Sequence, residues 1–134
     1  MKKSLALVLA SLVLLPVLPV YATVLPQGYY LYVPIHVKAL SALIYVVSSN
    51  ATVTVSVMTP SQFAEFNQTG KVTGIVTSNS TLVGGVPVVA NAVLLNPGEY
   101  YLVICSPEGY ANLTYMYYNV TPITPENSSQ YVAE

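Results

Sequence analysis

The chain has no arginine, no aspartate and no tryptophan, and only nine of its 134 residues carry a formal charge, four lysines and five glutamates. An ordinary soluble domain holds about 25% charged residues; here the share is 7%, against 54% hydrophobic. Lys38 and Lys71 are the only cations beyond the N-terminus, and two lysines do not track a phosphate backbone, so a nucleic-acid partner is not expected. One histidine, one cysteine and no aspartate supply no convergent ligand set, so neither a metal nor another cofactor is expected. Nucleophilic hydrolysis needs a base beside an activated Ser or Cys. His36 is the only histidine and no G-x-S-x-G elbow is present. Glu65 falls in a short helical segment, Glu99 and Glu108 beside turns, and Glu126 and Glu134 near the C-terminus, which is no rigid carboxylate pair for glycoside hydrolysis. The sequence is therefore expected to be non-enzymatic.

What is present begins with a leader pattern. Residues 1–22, MKKSLALVLASLVLLPVLPVYA, combine two lysines, an apolar run and Val20-Tyr21-Ala22 at the positions a signal peptidase reads, which predicts a signal peptide cleaved after Ala22. Pro16, Pro19 and Pro26 oppose the alternative of a retained anchor helix. No later run is long enough to span a membrane, so the mature form is expected to be secreted or extracellular without a span. Six of the eight asparagines stand in Asn-x-Ser/Thr, at Asn50, Asn67, Asn79, Asn112, Asn119 and Asn127. Serine and threonine frequency alone would place about one or two there, so N-glycosylation of an exported chain is expected.

The mature chain reads as strands. Residues 29–38 alternate, with Tyr29, Leu31, Val33, Ile35 and Val37 on one face and Tyr30, Tyr32, Pro34, His36 and Lys38 on the other, and Pro34 confines the strand to an edge or bulge. Residues 40–48 are apolar on both faces, as in a central strand, and 52–58 alternate again with Val53, Val55 and Val57 inward; a turn at Ser48-Ser49-Asn50-Ala51 predicts a hairpin with Asn50 at its tip. Thr59, Pro60 and Gln62 supply an N-cap, an N1 proline and a capping-box partner for a helix that stacks Phe63 and Phe66 on one face and stops at Gly70. Further strands are predicted at 72–77, 86–95, 100–105 and 110–120, divided by Gly84-Gly85, by Asn96-Pro97-Gly98 as a type II turn and by Ser106-Pro107-Glu108-Gly109 as a type I turn. About seven strands at this spacing predict an all-β Ig-like or jelly-roll-type sandwich over residues 23–120, with residues 121–134 as a flexible tail.

Cys105 lies in an apolar strand and is either a buried small hydrophobe or an intermolecular link, with burial favoured. Tyr115 and Tyr117 share the face of Ala111 and Leu113 and suit the core, while Asn119 falls by alternation on that inner face, a misfit for a glycan that an earlier strand end would cure. Tyr30 and Tyr32 share the polar face of the first strand and are the interaction candidates.

Two stretches, VTVSVMTPSQFAEFNQTG at 53–70 and LLNPGEYYLVICS at 94–106, resemble small secreted β-sandwich modules of archaeal cell-surface proteins. In these a strand leads into a TPSQ-F-x-x-F helix and a later PG-x-YYLVI strand closes the sheet; Cys105-Ser106 stands where the family usually has a small polar residue. The resemblance implies a scaffold or adhesion module. The leading expectation is a glycosylated structural or interaction subunit of a cell surface, virion or filament, self-associating or bound to another surface protein. Assembly would proceed by strand addition: the strand at 29–38, behind a flexible 24–28, completes a neighbour's sheet. A second expectation is a carbohydrate-binding module using Tyr30 and Tyr32, and a third a type IV pilin, whose long helix Pro16 and Pro19 would break.

Overall fold

Alternation with a two-residue period governs the fold. A computed structural model describes residues 19–120, as nine strands and one helix: β1 (Tyr21–Leu25), β2 (Tyr30–Val37), β3 (Ser41–Ser49), β4 (Thr54–Met58), α1 (Pro60–Thr69), β5 (Val76–Asn79), β6 (Thr81–Val83), β7 (Val86–Leu95), β8 (Gly98–Cys105) and β9 (Ala111–Val120). They form two antiparallel sheets, ordered β1-β9-β3-β7-β6 and β2-β8-β4-β5. Inward side chains of both sheets interdigitate as a sandwich core. Leu43, Tyr45 and Val47 from β3 meet Val55 and Val57 of β4 and Leu102 and Ile104 of β8, all fully buried. Burying each aliphatic side chain stabilises by about 1.5–3 kcal/mol.

The central position of β3 agrees with its apolar sequence, yet only its odd-numbered face is buried; Ile44 on the other is 42% exposed. The hairpin expected between β3 and β4 does not form. β3 pairs with β7 and β9 while β4 pairs with β8 and β5, so the turn carrying Asn50 crosses from one sheet to the other. Leu43, Tyr45 and Val47 and Val53, Val55 and Val57 are two apolar faces that bury each other by stacking face to face, which edge pairing would not achieve.

The strand expected at 72–77 begins only at Val76 and runs to Asn79, and two further strands escaped the sequence reading. β6 is three exposed residues joined to β7 through Gly84 and Gly85, at φ 58° and 81°, the left-handed pair a type I′ hairpin requires. β1 takes in residues 24 and 25 of the stretch expected to be flexible, because Tyr21, Thr23 and Leu25 fall opposite Tyr115, Leu113 and Ala111 on the core-facing side of β9. The expected cleavage point after Ala22 lies inside this strand; the rest of the leader, like the tail at 121–134, lies outside the described residues.

The helix follows its caps. Thr59 Oγ1 accepts from the Gln62 amide at 3.3 Å, the Thr59 amide donates to Gln62 Oε1 at 2.9 Å, and Gly70 closes the C-terminus at φ 74° with its amide on the Phe66 carbonyl at 2.8 Å. At the turn before β8, Gly98 takes φ 155°, unlike the roughly +80° of a type II turn. The Ser106–Gly109 turn closes as expected, its amide-to-carbonyl bond measuring 3.2 Å. Among the described residues no helix is long and apolar enough to cross a membrane.

Candidate functional site

The outer face of the four-stranded sheet carries a cluster of aromatic residues. Tyr30 and Tyr32 project from β2 on the side away from the core, Tyr101 and Val103 from β8 and Met58 from β4; α1 lowers Phe63 and Phe66 onto them. Phe63 stacks on Tyr101 with centroids 4.2 Å apart and planes 17° from parallel, and Tyr30 meets Phe66 edge-on at 4.7 Å and 76°, geometries that aromatic quadrupoles favour. Tyr30 is thus half-buried and Tyr32 48% exposed. Their rings lie 6.2 Å apart and tilted by 43°, so the pair presents no flat platform.

Beside this cluster a groove of about 450 Å³ opens between the end of α1 and the chain entering β2. Tyr29, Tyr30, Phe66, Asn67 and Cys105 line it, with Gly28 and Gly70 at its rim. The Tyr30 hydroxyl donates to Asn67 Oδ1. Cys105 is free and half-buried, and burial pushes its thiol up to about 11, which keeps it neutral and a poor nucleophile.

A second aromatic group lies at the far end of β2. Tyr21 of β1 stacks on Tyr115 at 5.2 Å and on Tyr117 at 5.8 Å. Desolvation raises the phenol pKa of both Tyr115 and Tyr117. Next to them a shallow groove of about 330 Å³ separates β2 from β9, lined by Pro34, Ile35, His36, Tyr117 and Asn119. His36 Nδ1 pairs with the Glu99 carboxylate across the β2–β8 ladder, both side chains more than half exposed.

The five acceptor-pattern asparagines within the described residues are all exposed. Asn50 holds the crossover turn, its Oδ1 accepting from the Asn112 amide at 2.8 Å; Asn79 Oδ1 accepts from Thr54 Oγ1 at 2.9 Å. Each therefore uses its carbonyl. Asn91, outside the pattern, uses both ends of its amide: Oδ1 accepts from the Ala92 amide at 2.8 Å and Nδ2 donates to Ser78 Oγ at 3.3 Å. Asn119 does lie on the inner-facing side of β9, which runs on to Val120, but it sits past the end of the core where the groove opens to solvent, so no earlier strand end is needed. Asn127 lies outside the described residues.

Sequence reasoning placed Tyr30, Tyr32, Phe63 and Phe66 correctly on faces but missed that Asn67 joins them, a contact spanning 37 positions that no local pattern encodes. Tyr21 was assigned to the leader; the signal was available in the alternation of Tyr21, Thr23 and Leu25. Among the described residues no three or more His, Cys, Asp or Glu side chains gather in one place.

No protein-family model matches the chain, and no curated protein matches it. Among solved structures it is similar to the pre-peptidase C-terminal domain of collagenase from Bacillus anthracis, with TM-score 0.52 and 12% identity over 75% of this chain and 89% of that one. At that identity the likeness shows the β-sandwich fold.

Proposed function

We propose that the protein is an exported, N-glycosylated, non-enzymatic surface subunit that joins its neighbours by β-strand addition. The observation that carries this reading is the mismatch between β1 and β9. β1 pairs with residues 111–115; after cleavage behind Ala22 only Thr23–Leu25 would stay on that edge, opposite residues 111–113, and among the described residues 114–120 would keep β3 on their other side alone. An unpaired row of backbone donors and acceptors is a template for another chain's strand.

The strand that leaves is β1, not the longer one first expected. β2 is paired along all eight residues with β8 and contributes Ile35 and Val37 to the core, whereas β1 buries Leu25 alone. Cleavage after Ala22 would also remove Tyr21 from Tyr115 and Tyr117, lengthening the open edge and baring its aromatic flank. Exposed acceptor asparagines with free amide nitrogens fit a glycosylated outer surface, as does the resemblance to archaeal surface modules. Sugars would then supply the hydration that so few charges do not.

Deleting residues 23–25 tests the reading. The variant is expected to stay a folded monomer by light scattering and to bind a synthetic peptide of residues 23–28, while the mature chain forms oligomers or filaments in negative stain. A deletion variant that assembles like the mature chain, or that folds but ignores the peptide, overturns strand addition.

A further inference from the structure

We propose that the groove beside α1 is the seat of the first sugars of an N-glycan carried on Asn67, so that this glycan is a packed part of the fold and not a solvated appendage. The inference rests on the glycosylation reading and deepens it at one position.

Asn67-Gln68-Thr69 is an acceptor sequence in the last turn of α1, and Asn67 forms part of the groove wall. The Tyr30 hydroxyl holds its Oδ1. With the carbonyl fixed, the amide plane is set and Nδ2 is the atom left to react. Transfer consumes a glycosyl lipid-phosphate donor: Nδ2 bonds to the anomeric carbon, the carbon–oxygen bond to the phosphate breaks with its electron pair leaving on oxygen, and Nδ2 gives up one proton. The Oδ1 that accepts from Tyr30 is untouched, so the same hydrogen bond orients the linkage afterwards.

The groove suits a pyranose. Its volume of about 450 Å³ falls within the roughly 300–1,000 Å³ of small-ligand sites. Phe66 and Tyr30 form an aromatic wall and Tyr29, 68% exposed, is free to lie over a sugar's C–H face. A Cβ built on Gly28 or Gly70 would meet nothing within 4 Å, so the rim is open where a glycan must leave. Among the described acceptor asparagines only Asn67 combines a groove with a tyrosine-held carbonyl: Asn50 Oδ1 accepts from the Asn112 amide of β9, Asn79 Oδ1 from Thr54 of β4, and Asn119 borders the shallower groove without such a bond.

The test uses secreted, glycosylated full-length protein, with occupancy of each site read by glycopeptide mass spectrometry. Thr69→Ala removes the sequon and also the Thr69 Oγ1 bonds to the Glu65 carbonyl and the Lys71 amide. It is therefore expected to lower the melting temperature of the glycosylated protein by about 4 °C more than that of protein made without glycosylation, an excess that Thr114→Ala, which removes the Asn112 site, should not show. In a Tyr29→Ala background most of that difference should vanish, and nuclear Overhauser contacts should join sugar protons to the Tyr29 ring. Equal excesses at the two sites, additivity of Thr69→Ala with Tyr29→Ala, or an unoccupied Asn67 beside other occupied sites each overturns the seat while leaving the glycosylation reading standing. A protein unmodified at every site overturns both.

Discussion

Two hydrophobic regions lie on opposite faces of the same four-stranded sheet, and they are built from different side chains. Between the sheets the packing is aliphatic, Val, Leu and Ile with Tyr45 as the one fully buried ring. Outside, under α1, it is aromatic: Tyr30, Tyr32, Phe63, Phe66 and Tyr101 around Met58 and Val103. The inner region draws residues from eight of the nine strands and is closed to water. The outer one rests on a single ten-residue helix and opens into a groove. Branched aliphatics fill a closed slab at high density; rings with polar tips leave edges that water or a ligand can reach. The inner region closes the sandwich, and the outer one leaves aromatic surface open to solvent.

The sharpest separation comes from truncation on each side. Leu102→Ala empties a fully buried inner position and should cost about 4 kcal/mol, read as a lower urea midpoint for the whole chain in one transition. Phe66→Ala, only 8% exposed but next to the groove, should cost about 3 kcal/mol, the low end for a buried phenylalanine, with amide exchange speeding up in α1 before the strands. If both variants unfold in one step with equal protection losses, the two regions are one cooperative unit and the division is wrong.

A smaller effect probes their shared wall. Gly74 passes so close to β4 that a Cβ would sit 2.2 Å from Ser56 Oγ and 2.6 Å from the Val57 carbonyl oxygen. The segment ending at Gly74 covers the outward side of Ser56, which is why that serine is 1% exposed although it alternates away from the core. Gly74→Ala should cost about 2 kcal/mol through overpacking against backbone, and Ser56→Gly should not rescue it because the carbonyl remains. A neutral Gly74→Ala would mean that the segment floats free of the sheet.

How much of this was legible depended on range. The β7 segment at 86–95 and the α1 caps could be read because their causes lie within a few residues: alternation, an N-cap threonine, a terminating glycine. Alternation also identified the buried faces of β2 and β4, but not that of β3, whose residues 40–48 read as apolar on both sides. It could not say which edges pair, since a period of two is the same for a hairpin and for strands in opposite sheets; hence the hairpin error at Asn50. β1 was missed because a leader pattern explained Tyr21 and Ala22 first. The groove joins Tyr30, Asn67 and Cys105, three positions with no local relation, and only the folded chain brings them together.

The smallest effect separates the two regions by their protons. Cys105 faces the outer aromatic side, and its thiol, with an ordinary value of 9.0, stays protonated in the folded chain to about 11 because burial penalises the thiolate. In the unfolded chain it ionises near 9.0. Above that pH the unfolded state binds fewer protons than the folded one, so alkali favours unfolding. The stability due to Cys105 is therefore whole below pH 9 and lost as pH climbs towards 11. Desolvation raises Tyr45 between the sheets, and Tyr115 and Tyr117 beside β1, from 10.0 in the same direction, so their loss begins about one pH unit later. Urea midpoints measured every half unit should begin falling near pH 9 for the native sequence and near pH 10 for Cys105→Ala, with the gap worth about 1 kcal/mol once partial exposure and screening are allowed for. Parallel curves would mean that the thiol titrates as it does in water, and that the outer region is wetter than its packing shows.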